Sequence, residues 1–193
     1  MKNDIILAGV GGQGILSIAA IIGYAAVDSG LYLKQAEVHG MSQRGGDVQS
    51  HLRISEQEIF SDLIPFGGAD MILSVEPMES LRYLPYLSPE GWLITNTRPF
   101  KNIPNYPDEE PLMRGITALP QHVALDADNI ARELGTARAA NIVMLGAASP
   151  FIDLPFEKLK EGIQFIFGRK GEKIVETNLN ALEAGRKFAE EQR

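Results

Sequence analysis

A glycine-rich segment near the start of the chain limits the fold more than any other feature. It runs from Gly9 to Gly14 as Gly-Val-Gly-Gly-Gln-Gly, and with Gly11 it matches the spacing G-x-G-x-x-G. The apolar residues 5–8 precede it and are typical of a buried parallel strand. Residues 15–27 follow with an apolar pattern of helical length. Strand, glycine turn and helix in this order predict a βα unit that opens an α/β fold.

The same turn is a candidate binding site. Backbone N–H groups at the start of a helix, together with the positive end of the helix dipole, favour a phosphate or another anion. Gly11 and Gly12 leave the backbone open to a ligand, and Gln13 is expected to hydrogen-bond across the glycines or to face a partner. Glu37, 23 residues after Gly14, is the candidate for a ribose hydroxyl. Such turns also occur only to pack a helix closely, so both interpretations stay open.

Composition excludes several classes of function. The chain has 193 residues, which favours one domain over residues 1–193, and its net charge of −7 argues against nucleic acid or an anionic membrane as the main partner. It has no cysteine, which excludes disulfides, thiolate nucleophiles and cysteine-held iron–sulfur clusters. The first residues show no signal-peptide pattern and no apolar stretch is long enough to span a bilayer, so a cytoplasmic location is expected.

A second polar, glycine-containing loop follows the second predicted strand, residues 30–35. It reads His-Gly-Met-Ser-Gln-Arg-Gly-Gly over residues 39–46. A planar guanidinium beside backbone N–H groups suits a carboxylate or phosphate, and an internal salt bridge that fixes the loop is the alternative. The loop is expected at the same sheet edge as the first turn. Its candidate site residues are Ser42, Gln43, Arg44, Gly45 and Gly46.

The remaining pattern alternates strands and helices. Residues 48–54 alternate apolar and polar side chains, which predicts a half-buried strand, with residues 59–60 as its short hairpin partner. Four prolines mark residues 99–111 as an irregular excursion. The fold class is therefore α/β, a three-layer Rossmann-like sandwich with a mostly parallel sheet and an antiparallel hairpin. The other predicted strands are 69–75, 91–96 and 122–126, and the other predicted helices are 77–83, 126–134, 139–148, 155–167 and 171–191.

Catalytic machinery is not visible in the sequence. The three histidines, His39, His51 and His122, do not have metal-ligand spacing, and no serine occupies a G-x-S-x-G elbow. We therefore predict no catalytic residue and no metal ligand in this chain.

Several motifs together resemble a known family. They are the turn ending at Gly14, the loop over residues 39–46, the Ala-Asn-Ile-Val-Met-Leu-Gly stretch at 140–146, and Thr-Asn-Leu-Asn-Ala at 177–181 followed by Gly185. This set resembles the gamma-type domain of the 2-oxoacid:ferredoxin oxidoreductases over nearly the whole chain. The form of the second loop is most similar to the beta-subunit branch of the indolepyruvate enzymes.

The resemblance implies a subunit of a larger enzyme. In that family a 2-oxoacid is oxidatively decarboxylated to an acyl-CoA, and the electrons pass to ferredoxin. Thiamine diphosphate and iron–sulfur clusters are then expected on a large alpha subunit, coenzyme A is a co-substrate, and this chain binds no cofactor itself. The two glycine-containing segments become the candidate ligand or subunit-contact loop, with Arg44 pairing a phosphate or the 2-oxoacid carboxylate.

Two further interpretations stay open: a self-contained NAD(P)-binding oxidoreductase, and a binding module without activity. The subunit interpretation requires an exposed apolar patch for the partner. The candidates for that patch are Phe60, Ile64, Phe66, Tyr83, Tyr86 and Phe151.

Overall fold

The computed structural model describes residues 1–39, 45–101 and 103–192. A six-stranded sheet forms the middle layer, in the order β2-β3-β1-β4-β5-β6. Its strands are β1 (Lys2–Val10), β2 (Tyr32–His39), β3 (Asp47–Ser55), β4 (Ala69–Ser74), β5 (Leu87–Asn96) and β6 (His122–Leu125). The α-helices of the described ranges are α1 (Ile15–Asp28), α2 (Pro77–Arg82), α3 (Glu109–Thr117), α4 (Ala127–Glu133), α5 (Ala140–Ala148), α6 (Phe156–Phe167) and α7 (Glu172–Glu191).

The sheet is mostly parallel, which confirms the predicted fold class. Strands β1, β4, β5 and β6 run parallel, so their carboxyl ends meet at one edge of the sheet. Strand β3 is antiparallel to both of its neighbours, β1 and β2. The amino end of β3 therefore lies at the same edge as the carboxyl end of β1, and Asp47 is the pairing partner of Val10.

The predicted hairpin partner of β3 was wrong. Residues 59–60 form no strand, because both edges of β3 are already taken by β1 and β2. The segment after β3 is held instead by Arg53, whose guanidinium donates to the backbone oxygens of Ser61 and Leu63 at 3.0 and 3.1 Å. The antiparallel hairpin is formed by β2 and β3, across the second glycine-containing loop.

Helix α3 was also missed, since its start lies within the segment that the prolines marked as irregular. Its first turn carries Glu109 and Glu110, which favour the positive end of the helix dipole. Leu112 and Ile116 are spaced for one helix face and are both buried. The irregular excursion is therefore shorter than predicted and ends where α3 begins.

Helices cover the sheet unequally on its two faces. Helices α1 and α5 contact the sheet on one face, which we call the first face, and α4, α6 and α7 pack around them in a core that includes alternate residues of β1 such as Ile5 and Leu7. The opposite, second face receives Ile6 and Ala8 of β1 and packs against α2 and α3. The larger core therefore lies on the first face.

A buried histidine links β3 to the segment that follows it. The His51 side chain is 3% exposed, and its Nδ1 accepts a hydrogen bond from the backbone N–H of Ile64 at 3.0 Å. The Gln49 amide nitrogen lies 3.0 Å from Nε2. Burial, and then the nearby Arg53 charge, lower the pKa of His51 below its ordinary value of 6.5. The neutral ring is thus the form that the fold stabilises.

Acidification is expected to weaken the fold through His51. The pKa of His51 is lower in the folded state than its ordinary value of 6.5. Its contribution to the free energy of unfolding is therefore complete above pH 6.5 and is lost as the pH falls through the folded-state pKa. Urea unfolding at pH 7.5 and pH 5.5 should show a smaller loss of unfolding free energy in His51→Gln than in the wild type. Equal losses in His51→Gln and in the wild type would refute the role of His51.

Candidate functional site

The glycine turn begins helix α1 in the geometry that its sequence requires. Gly14 is the N-cap of α1 and has φ +82°, and Gly12 has φ +102°, both in the region that favours glycine. A Cβ added to Gly14 would lie 2.5 Å from the side-chain nitrogen of Asn141, whereas a Cβ on Gly12 would enter open space. Gly14 therefore serves close packing, and Gly12 leaves the backbone accessible.

The two segments singled out in the sequence meet at this edge of the sheet. The backbone N–H of Gly11 donates to the carbonyl of Gly46 at 2.8 Å, and Gly45 lies against Gly11 with its N–H 3.5 Å from the Gly11 carbonyl. Ser42, Gln43 and Arg44 fall outside the described residues, so their roles stay predictions. The juxtaposition follows from the antiparallel direction of β3, which starts where β1 ends.

Gln13 spans the turn and joins two strand ends. Its Oε1 accepts from the Val10 N–H at 2.8 Å, and its Nε2 lies 3.4 Å from the Val75 carbonyl oxygen. Asn96, at the carboxyl end of β5, donates to the same carbonyl at 3.3 Å and to Asp128 at 2.8 Å. Of the two predicted roles for Gln13, the structure shows the hydrogen bond across the glycines.

Gly12 and Gln13 line two cavities. One has a volume of about 490 Å³ and the other about 330 Å³. Parallel α/β sheets commonly bind ligands in crevices of this kind, beyond the carboxyl ends of the strands. The polar lining of the larger cavity comprises Gln13, Asn96, Asp128, Arg138 and Asn141, and that of the smaller includes Ser17, Thr136, Arg138, Lys170 and Thr177. We call the two cavities together the crevice.

The crevice contains both cationic and hydrogen-bonding side chains. Arg138 lines both cavities and is exposed, and Lys170 lines the smaller cavity with its ammonium above the Phe167 ring. Asp128 lines the larger cavity and accepts from Asn96. An arginine and a lysine suit a phosphate, while a carboxylate and amides suit hydroxyl or amino groups.

Sequence reasoning missed most of the side chains in the crevice. Asn96 lies at the end of a predicted strand, and this position was the sequence signal that could have identified it as a site residue. Neither Asp128 nor Arg138 was among the candidate site residues. Asn141 comes from a distant part of the chain and donates to the Gly14 carbonyl at 3.1 Å.

The predicted ribose partner, Glu37, is not in the crevice. It lies on β2, and β3 separates that strand from β1 and its glycine turn. Two strand spacings, or about 10 Å, therefore lie between β2 and β1. The carboxylate that the fold does bring to the crevice is that of Asp128.

A buried acid fixes the segment beside the crevice. Glu76 is fully buried directly after Val75, and its carboxylate accepts from the N–H groups of Glu79 at 2.9 Å and Phe100 at 3.2 Å. The Tyr106 hydroxyl also donates to Glu76. Burial, and then this hydrogen bond, raise the pKa of Tyr106, which keeps its phenol protonated. The group is a structural tie between the excursion before α3 and the start of α2.

The part of the chain that the structure describes shows neither a cluster of metal ligands nor a membrane-spanning helix. There, no three His, Cys, Asp or Glu side chains converge as metal ligands. Among the described helices, none is both long enough and apolar enough to cross a membrane. The absence of cysteine from the sequence does not fit a thiolate-held iron–sulfur cluster in this chain.

Fold and crevice together define the class, a Rossmann-like α/β domain with a glycine turn at the carboxyl edge of its sheet. The chain belongs to the pyruvate ferredoxin/flavodoxin oxidoreductase family, whose model matches residues 4–188. It is 37% identical to the indolepyruvate oxidoreductase subunit IorB of Thermococcus kodakarensis, over 98% of this chain and 97% of that protein.

Solved structures share the fold. The keto/oxoacid ferredoxin oxidoreductase gamma subunit from Geobacter sulfurreducens superposes with a TM-score of 0.73 at 26% identity, covering 98% of this chain and 99% of that one. The 2-oxoglutarate:ferredoxin oxidoreductase from Magnetococcus marinus, with 2-oxoglutarate, coenzyme A and succinyl-CoA bound, gives a TM-score of 0.77 at 23% identity. That match covers 98% of this chain but 31% of the other, so there the fold is one part of a longer chain.

Proposed function

We propose that this chain is the small subunit of a 2-oxoacid:ferredoxin oxidoreductase whose substrate is indolepyruvate or a related arylpyruvate. The observation that carries the proposal is the full-length similarity to an indolepyruvate oxidoreductase subunit, at 37% identity over 98% of this chain. The contact between the two glycine-containing segments supports it, because these segments carried the resemblance in the sequence. The partner is a large subunit, and ferredoxin accepts electrons from the assembled complex.

The redox chemistry belongs to the large subunit in this proposal. Iron–sulfur clusters need cysteine ligands, which this chain lacks, and its sequence has no recognisable thiamine diphosphate motif. Thiamine diphosphate and the clusters, bound to the large subunit, supply the decarboxylation and the electron transfer. The small subunit contributes surfaces that position the co-substrate and close the site against water.

Coenzyme A is the ligand that best fits the crevice. It carries phosphate groups for the cationic side chains of Arg138 and Lys170 beside the Gly12 turn, and it carries ribose hydroxyl and adenine amino groups for the Asp128 carboxylate. Coenzyme A bound in the Magnetococcus marinus enzyme supports this choice. Arg44, from the second loop, is proposed to pair a phosphate of coenzyme A or the carboxylate of the 2-oxoacid.

Replacing Arg138 by glutamine should raise the KM for coenzyme A in the assembled enzyme about tenfold, the effect of one lost charge-assisted hydrogen bond. The expected kcat is near that of the wild type, because Arg138 binds a non-reacting part of the ligand. The measurement is steady-state reduction of a dye at varied coenzyme A and saturating 2-oxoacid.

Arg169→Gln is the matched control, because Arg169 is exposed, directly precedes Lys170 in the sequence and does not line the crevice. It should leave the KM for coenzyme A unchanged. An unchanged KM in Arg138→Gln as well would show that coenzyme A does not bind in this crevice.

The interpretation as an NAD(P)-binding oxidoreductase is tested separately, by titrating the isolated chain with NADH. Micromolar affinity would favour this interpretation over the subunit proposal.

A further inference from the structure

In the part of the chain that the structure describes, one part of the sheet has no helix packed on its second face. Helices α2 and α3 pack over β1, β4, β5 and β6, while the main helix contacts of β2 and β3 come from α1 on the first face. Within the described ranges, the second face of β3 is covered by the segment that follows this strand. We call residues 60–66 of this segment the aromatic loop.

The aromatic loop has a fixed backbone. Arg53 donates two hydrogen bonds to Asp4, at 2.7 and 3.0 Å, and two more to backbone oxygens of the loop. Asp4 is 2% exposed, so this charge pair is held within the protein. His51 accepts from the Ile64 N–H, and the Ile64 side chain is 2% exposed. The loop is thus anchored from beneath by charge-assisted hydrogen bonds and by one apolar side chain.

The same loop exposes large apolar side chains. Phe60 is 88% exposed, Leu63 56% and Phe66 73%. Because the backbone is anchored, these side chains cannot all turn inward without breaking the Arg53 and His51 contacts. Exposed apolar clusters on a structured loop are typical of protein–protein contacts, and aromatic side chains often dominate their binding energy. Of the six candidates for a partner patch, Phe60 and Phe66 are the exposed ones, whereas Ile64 and Tyr83 are buried.

A chain of aromatic contacts joins this loop to the crevice edge. The Phe66 ring lies 4.6 Å from that of Tyr86, and Tyr86 lies 6.4 Å from Tyr83. The Tyr83 hydroxyl is 3.3 Å from the carboxylate of Asp47, which directly follows Gly45 and Gly46. A partner on the aromatic loop would therefore also border the glycine-containing segments.

We propose that the aromatic loop docks the large subunit, on a complementary apolar surface bordered by positive charge; this rests on the proposed function. Glu56 and Glu58 precede the loop and Asp62 lies within it; Glu56 pairs with the terminal amine, and Asp62 pairs with Lys34. The net charge of the chain is −7. A second copy would place the same acids against themselves, which disfavours self-association through this loop.

The size of the structural neighbour also supports the large subunit as the occupant. In the Magnetococcus marinus chain, the matched part is 31% of the length, so the same fold is covalently joined to other parts of that protein. The separate small subunit needs a surface that replaces the covalent link, and the anchored aromatic loop meets that need.

The test compares two variants of the full chain. The double variant Phe60→Ser, Phe66→Ser removes the exposed rings, and Phe165→Ser removes an equally exposed ring on α6, which is 67% exposed and stacks on Tyr24. Binding to the purified large subunit is measured by surface plasmon resonance. Far-UV circular dichroism and light scattering of the isolated chains report fold and oligomeric state.

The proposal predicts that the double variant folds as a monomer and binds the large subunit at least about tenfold more weakly, as expected for lost hot-spot side chains. Phe165→Ser should bind like the wild type. Wild-type affinity in the double variant would overturn the proposal. A dimeric wild-type chain that becomes monomeric in the double variant would make a second copy the occupant and also overturn it. If the wild-type chain itself does not bind, the proposed function fails rather than the assignment of this surface.

Discussion

Alanine at Gly146 or at Gly185 is expected to destabilise the fold by about 3 kcal/mol, at the upper end of what overpacking costs. The two glycines lie where α5 and α7 cross at very close range. A Cβ on Gly146 would lie 2.0 Å from the carbonyl oxygen of Leu182, and one on Gly185 would lie 1.9 Å from that of Val143. Backbone atoms cannot move aside as a flexible side chain can, so the helices must separate.

Thermal unfolding with circular dichroism measures this effect. A loss of about 3 kcal/mol in a chain of this size corresponds to a fall in Tm of roughly 6–12 °C. Gly168→Ala is the control, because Gly168 has an ordinary helical conformation and a Cβ there meets open space. It should keep or slightly raise the Tm. Wild-type Tm values for both Gly146→Ala and Gly185→Ala would contradict the close helix contact.

The helix crossing also bears on the crevice. Asn141 lies on α5 and donates to the carbonyl of Gly14, so α5 is tied to the glycine turn. A shift of α5 that relieves the clash at Gly146 would move Asn141 and the nearby Arg138. We therefore expect crowding at this crossing to affect ligand binding as well as stability.

Local pattern predicted most of the helices and strands. The turn from Gly9 to Gly14 was predictable because strand, turn and helix are adjacent in sequence. The pairing of β3 was not, since alternation shows that a strand exists without naming its neighbours. Helix α3 was missed because prolines around its start outweighed the acidic first turn and the spacing of Leu112 and Ile116.

The limit of local sequence patterns is clearer still for the crevice. Its glycine turn carries a recognisable motif, and the chain direction of β3 brings Gly45 and Gly46 to it. Asn96, Asp128 and Arg138 join it through the order of the strands and the packing of α5, which no short motif records. Asn141 is 127 residues from its hydrogen-bond partner, Gly14. Side chains brought together over such separations become visible only in the folded chain.

The subunit proposal predicts that assembly of the two subunits has a large effect on catalysis. This chain lacks the cysteine ligands of an electron-transfer cluster, and the large subunit lacks the surface that the small subunit provides. Each is therefore expected to be inactive or nearly so alone. The assembled enzyme should turn over roughly a hundredfold faster than the large subunit alone, because misplacing a reacting group costs an enzyme a factor of about that size.

Reconstitution measures this most directly. The purified chain is titrated into a fixed amount of the large subunit that carries thiamine diphosphate and iron–sulfur clusters. Dye reduction is followed with indolepyruvate and coenzyme A, and omission of either serves as the blank. The account predicts that activity rises with added chain, saturates at a fixed molar ratio and requires both substrates. A large subunit that is equally active without this chain, or no activity at any ratio despite an intact complex, would contradict it.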